Sequence, residues 1–381
     1  MIAGLVAVIA GIVALLGLTG RITVPRAWMR TVMAGLPVVV VSGAHFAPGG
    51  WNLAIVLGMT ASVVLGMLAS MIGPAQLPVP GGHRVAEIWR YLAIIAVGVV
   101  LGSMILRWGA GLIAPIPLLS PQAVAVVLAI AAVTAAAGGA SLRGLITTGT
   151  IIMLVLFVLV LVAGVVGGAP ATLTAPLVPV SHPAGAWLLF LIGFLLAASN
   201  PALREIRADG DSIIPGTIIL GAMQLLGLLA ILSFNGGYLQ LPSFSMGIVA
   251  GYVGFASPLP GAVICGLIAI VVLASGVLLY RSALRGTAGL ASGKEIPAGW
   301  WTATWFRTVV VGAVGVVLTL SGVPLEPILW VTALVALSGW VVELWSSRRQ
   351  SKAQKIKARK RRDRPREHER HQGQRRHNRI R

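Results

Sequence analysis

Long apolar segments recur along this chain at about 1–19, 31–48, 51–72, 89–112, 121–138, 144–167, 185–199, 213–234, 260–280, 304–322 and 326–346, and basic residues cluster beside every second gap between them. A hydrocarbon core of about 30 Å is crossed by roughly 20 helical residues, and several of these segments approach that length. Lipid offers no partner to a backbone N–H or C=O, so such segments cross a bilayer as helices. The expected fold class is an all-α polytopic membrane protein with about 11 transmembrane helices.

The charge pattern orients them. Arg21, Arg26 and Arg30 fall in the gap at 20–30, Arg84 in 73–88, Arg143 in 139–143, Arg204 and Arg207 in 200–212, and Arg281, Arg285 and Lys294 in 281–303. The gaps at 49–50, 113–120, 168–184, 235–259 and 323–325 contain no Lys or Arg, and Arg107 and Arg307 stand near segment ends. Short cytoplasmic loops carry the Lys and Arg excess. The first set of gaps and the C-terminus are therefore expected in the cytoplasm and the N-terminus outside, with the chain in the inner, plasma membrane.

An apolar content of 57% against 10% charged residues excludes a water-soluble domain of this size. The 47 Gly and 22 Pro are spread through the segments rather than gathered in a linker, which suits close helix packing and local breaks. Segment 1–19 lacks a basic leader and a small-residue cleavage site, so it reads as a retained N-terminal span. Cys265, the single cysteine, allows no intrachain disulfide, CxxC motif or cysteine-based metal site.

Residues 348–381 hold 16 Lys and Arg against Asp363, Glu367 and Glu369, so most of the formal charge of +19 is a tail. With almost nothing apolar to fold around, the tail at 347–381 reads as disordered, cytoplasmic and suited to anionic lipid. It has no Phe, Tyr or Trp, so nucleic acid is not the expected partner.

Chemistry is expected where the spans are imperfect, because a broken backbone must be satisfied by protein, water or substrate. Segment 31–48, TVMAGLPVVVVSGAHFAP, contains Gly35, Pro37, Ser42, Gly43 and His45. Segment 185–199, GAWLLFLIGFLLAAS, has Gly193 at its middle and is closed by Ser199–Asn200–Pro201. A break at Gly193 would present half-helix ends near the midplane, although a continuous helix in which Gly193 admits a neighbour fits equally well. Gln224 adds an amide inside the next span, where an interhelical hydrogen bond is the plainer role. No metal site is expected: His45, His83 and His182 fall in no HxxxH or HExxH arrangement.

Four stretches carry a resemblance. Residues 75–90, AQLPVPGGHRVAEIWR, contain a P-x-x-GG-like turn; residues from 139, GASLRGLITTGTIIMLVLF, open a long apolar helix; 186–216 include the N-P-x-x-R-x-I segment; and 278–297, LLYRSALRGTAGLASGKEIP, follow a later span. In that order the set resembles the amino acid–polyamine–organocation (APC) superfamily of secondary transporters over roughly 30–346. The resemblance implies a LeuT-like bundle of two inverted five-helix repeats, with 1–19 as an extra span. In place of that family's glycine-rich break in the first core helix, this chain has GLPVVVVSGA.

The resemblance further implies a secondary active transporter of small amino acids or related zwitterions, driven by Na+, H+ or exchange. Its site would lie between the first and sixth core helices. Gly35, Ser42, Gly43 and Gly193 would supply polar contacts, Phe190 and Phe194 would cover an apolar side chain, and Gln224 would stand nearby. No cofactor and no enzymatic chemistry are expected. The competing reading from another class is a non-transporting scaffold or assembly subunit of an envelope or secretion complex.

Overall fold

The computed structural model describes residues 26–46, 53–72, 84–113, 120–138, 142–167, 183–233, 258–291, 299, 303–342, 344–345 and 348. The expected span at 1–19 and the tail beyond residue 348 lie outside the described residues. The elements are α1 (Arg26–Phe46), α2 (Leu53–Ala69), α3 (Arg84–Ile113), α4 (Pro121–Gly138), α5 (Leu142–Gly167), α6 (Pro183–Ala198), α7 (Pro201–Ala208), α8 (Ile214–Ser233), α9 (Pro258–Ala291), α10 (Thr304–Leu320) and α11 (Leu325–Val342). Among the described residues the fold is all α.

Ten of these helices match the ten apolar segments from 31 to 346; the additional one, α7, lies inside the basic gap at 200–212. Five stretches, Val85–Gly111, Pro121–Gly138, Trp187–Ala208, Cys265–Ala291 and Leu325–Val342, are long and apolar enough to cross a membrane, and shorter apolar helices stand beside them. The stretch Trp187–Ala208 includes the non-helical junction between α6 and α7. Large apolar side chains, among them Leu65, Val127, Trp187, Ile218, Val317 and Val331, face outward. Such a surface suits lipid and is costly in water.

Packing rests on small residues. In lipid no hydrophobic drive pushes helices together, so close contact needs side chains that let backbones approach. On α2, Gly66 meets the carbonyl of Phe194 and the methyl of Ala197 on α6. On α3, Gly98 meets the Leu279 carbonyl and Ala283 of α9, and Gly102 meets the ring of Tyr280. The α3–α9 pair is the most extensive contact between helices, and the apolar part of Cys265–Ala291 is largely buried whereas most of Leu325–Val342 is not. The pair therefore forms the centre of the fold and α11 its periphery.

Helix α9 corrects the expected boundary at 280. It runs on to Ala291, a length of about 50 Å at about 1.5 Å per residue. The continuation RSALRGTAGLA keeps small residues toward α3: Gly286 meets Ile94 and Ile95, and Gly289 the ring of Tyr91. Arg281 and Arg285 consequently sit on a helix rather than a loop.

Candidate functional site

Pro37 lies inside α1 and has no N–H, so the carbonyl four residues earlier, on Met33, loses its helical donor. The hydroxyl of Ser275, on α9, donates to the Met33 carbonyl at 2.9 Å. The next carbonyl, on Ala34, accepts Asn200 Nδ2 at 2.8 Å. Ser275 and Asn200 are completely buried, so each bond is formed away from solvent. Helix α1 nevertheless continues through Pro37, from Arg26 to Phe46.

Asn200 sits at the discontinuity between α6 and α7. Helix α6 ends at Ala198, Ser199 donates its hydroxyl to the Ala336 carbonyl of α11 at 3.1 Å, and α7 begins at Pro201. The local sequence explains the restart: Asn200 Oδ1 accepts from Ala202 N at 3.0 Å as an N-cap, and Pro201 takes the first helical position, where its missing N–H costs nothing. One amide therefore caps α7 and holds α1.

The other end of α7 is equally defined. Gly210 adopts φ +84°, Gly210 N bonds the Arg207 carbonyl at 2.9 Å, and Asp211 N bonds the Ile206 carbonyl at 3.2 Å, a Schellman termination. This turn presents Asp209 and Asp211 to Arg30 of α1, at 2.7 and 3.9 Å. Arg207 donates to the Ser70 carbonyl after α2 at 2.7 Å, and Glu205 pairs with Arg285 of α9 at 2.7 Å. The Glu205 side chain is 2% exposed and that of Arg285 36%, so only the carboxylate has been taken fully from water.

The predicted site residues divide into two groups. Ser42, Phe190 and Gly193 meet at a junction of α1, α2 and α6: the Ser42 and Ser62 hydroxyls stand 3.2 and 3.3 Å from where a Cβ on Gly193 would lie. Ser62 donates to the Phe190 carbonyl. Ser42 is buried and its hydroxyl has no hydrogen-bond partner among the described residues. Of the two readings of Gly193, the continuous helix holds: α6 is unbroken there, and the discontinuity falls at Ser199–Asn200. Gly193 is a close-approach point, because the absent Cβ leaves room for two hydroxyls.

The remaining predicted residues lie apart from that junction or pack differently. Gly35 is a contact of α1 with Leu220 of α8 and Met67 of α2. Gly43 lies in the continuous helix α1. Phe190 joins the junction only through its carbonyl, its ring resting on Gly58 of α2 and meeting Trp187 edge-on at 5.9 Å, while Phe194 is half-buried and gives its carbonyl to the Gly66 contact. Gln224 is 1% exposed, with neither amide atom hydrogen-bonded among the described residues. Gly221 approaches Val64 of α2; one turn beyond on that helix, Thr60 is likewise buried with an unpartnered hydroxyl.

Asn200, Ser275 and Glu205 are central to this arrangement and were not singled out from the sequence, although Asn–Pro after an apolar run is a helix-start signal. Among the described residues no group of three or more His, Cys, Asp or Glu can hold a metal ion. Cys265 is buried.

No protein-family model matches the chain, and no curated protein matches it. Among solved structures it is similar to the crystal structure of MhsT in complex with L-phenylalanine, with a TM-score of 0.54 and 17% identity, covering 84% of this chain and 88% of that one. At that identity the likeness concerns the fold: this is a multi-span, LeuT-like helical bundle.

Proposed function

We propose that the chain is a secondary active transporter of small amino acids or related zwitterions, as its APC-like segments suggest. The observation that carries this reading is the paired capture of the Met33 and Ala34 carbonyls by Ser275 and by Asn200 at the α6–α7 discontinuity. Any bundle must satisfy such carbonyls in lipid; what favours transport is that one of those partners lies at a discontinuity beside the first and sixth core helices, where transporters of this kind place broken backbone around a substrate. The solved structure of the same fold holds an amino acid, which supports the substrate class.

In this reading the substrate occupies the region between α1 and α6, near the unpartnered Ser42 hydroxyl and the gap left by Gly193. Phe190, Phe194, Gly35, Gly43 and Gln224 are its surrounding residues, and Na+, H+ or exchange supplies the driving force. The two five-helix repeats are α1–α5 and α6 with α8–α11. The chain sits in the inner membrane with its N-terminus outside and its basic tail inside against anionic lipid.

The test is uptake by purified protein in liposomes, screened over amino acids and amines with sodium and proton gradients imposed separately. Accumulation of a zwitterion with an apolar side chain is expected. Absence of flux under every gradient and exchange condition, from demonstrably folded protein, would replace transport with the scaffold reading. Preference for a dication would retain transport and reject this substrate class.

A further inference from the structure

Helix α9 carries two arginines one turn apart, Arg281 and Arg285, where it meets α7 and the start of α1. Side chains at that spacing share a face, and like charges there oppose one another. Only one of the two is bonded. Arg285 takes Glu205 of α7 at 2.7 Å, while Arg30 of α1 takes Asp209 at 2.7 Å. Among the described residues Arg281 forms neither a hydrogen bond nor an ion pair, although Arg285, Glu205, Arg30 and Asp209 all lie within its electrostatic reach.

A charge that only orients a span points away from the protein, into water or headgroups. Arg281 instead leaves α9 between Tyr280 and Ser282, both completely buried, and is itself half-buried in the seam between α1, α7 and α9. With its four charged neighbours it makes three cations against two carboxylates, and both carboxylates are already bonded. The seam therefore holds one guanidinium with unused donors and one positive charge without a counter-charge. Such an arginine matches a planar monoanion, because its fork of N–H groups meets both oxygens of a carboxylate at once.

We propose that Arg281 anchors a carboxylate-binding site at the cytoplasmic end of the α1–α9 seam, where a zwitterionic substrate is held by its carboxylate between the cytoplasm and the α1–α6 region. The identity of the ligand rests on the transport reading. The site is separate from that region: along α1, Arg30 stands about 18 Å from Ser42, at about 1.5 Å per residue. Selection follows from charge. A decarboxylated amine brings a cation to a seam that already has one in excess, so the site admits amino acids and rejects amines.

The test uses the unmodified full chain in phosphatidylcholine nanodiscs and an arginine-directed dicarbonyl reagent, with reaction at each arginine read by mass spectrometry. Arg281 should react faster than Arg30 and Arg285, whose guanidiniums are engaged by carboxylates. Propionate at about ten times its dissociation constant should slow Arg281 about tenfold, because the reagent then meets only the unoccupied fraction. Propylamine, and chloride at equal ionic strength, should not. Equal reactivity of the three arginines would show Arg281 engaged and overturn the proposal. Equal protection by chloride would reduce the effect to screening and overturn it too, and protection by phosphatidylglycerol but not by propionate would give Arg281 to a lipid headgroup.

Transport supplies the second readout. Arg281→Gln removes the charge and should raise the half-saturating concentration of a zwitterion offered to the cytoplasmic face of inside-out vesicles about tenfold, the lower end of what a hydrogen bond to a charged group contributes. Arg281→Lys should recover part of that loss. An unchanged cytoplasmic value in folded Arg281→Gln protein would overturn the proposal. Protection by propionate without uptake of any zwitterion rejects the transport reading and leaves the carboxylate site standing. Uptake with no protection at Arg281 rejects the site alone.

Discussion

The hydroxyl of Ser275 donates to the carbonyl of Met33, 2.9 Å away, at the point where Pro37 leaves the α1 ladder without its donor. A proline inside a buried helix is thus answered from a residue 242 positions later in the chain. Ser275→Ala should cost about 1–3 kcal/mol, the usual range for orphaning a buried polar group. In a Pro37→Ala background the restored N–H serves that carbonyl, and the same serine change should cost appreciably less. Unfolding of the four proteins in detergent gives the cycle; additive effects would deny the link between the two residues.

The Glu205–Arg285 pair predicts an asymmetry. Arg285→Ala takes the ion-pair partner from a buried carboxylate, leaving Ser282 and Arg281 near it, and should destabilise by up to about 3–5 kcal/mol, whereas Glu205→Gln leaves a half-buried guanidinium that water can reach and should cost much less. Arg30→Ala should cost under about 1 kcal/mol, because Asp209 is exposed enough to be screened. Equal losses from Arg285→Ala and Glu205→Gln would contradict one-sided burial.

Gly315 of α10 faces the Tyr280 hydroxyl, which lies 3.0 Å from Ser103 Oγ of α3. A methyl there would force the tyrosine from its place, and Gly315→Ala should destabilise by about 1–3 kcal/mol through overpacking. Tyr280→Phe removes the nearest oxygen and should recover part of that loss. Gly138, with open space around it, should tolerate alanine without measurable change.

These contacts mark where sequence reading stops. The ten segments and their basic gaps were legible because bilayer thickness and loop charge act locally along the chain. The position of the α6 break was not, because a glycine in a membrane helix serves equally for a break or for close approach, and the deciding partners of Gly193 are Ser42 and Ser62, far away in sequence. Asn200 could have been found from its capping chemistry, but its bond to Ala34 spans 166 residues and required the fold. The extension of α9 was hidden because Arg281 and Arg285 look like loop charge until Glu205 is placed beside them.

Orientation rests on sequence and has its own test. After replacement of Cys265, a cysteine at Gly237 should label from outside intact cells and one at Ser351 only after the membrane is opened. Gly237 belongs to a gap without Lys or Arg, and Ser351 to the basic tail. Labelling of the Ser351 position in intact cells would reverse the proposed topology.

Gly193 separates a substrate site from a packing junction. A Cβ there would approach the Ser42 and Ser62 hydroxyls at 3.2 and 3.3 Å, close enough that each must give by a few tenths of an ångström. Gly193→Ala should therefore leave the protein folded, with a stability loss of about 1 kcal/mol or less, because hydroxyls can turn where backbone cannot. If Ser42 meets substrate, the added methyl intrudes on the ligand, and half-saturating concentration should rise about tenfold, a change of about 1.4 kcal/mol in binding. Ser42→Ala should act in the same direction without the steric term. Gly193→Leu exceeds what either hydroxyl can yield and should abolish uptake. Normal affinity in Gly193→Ala and Ser42→Ala, alongside the expected small stability loss in the former, would make this junction one of packing alone and move the substrate elsewhere along α1.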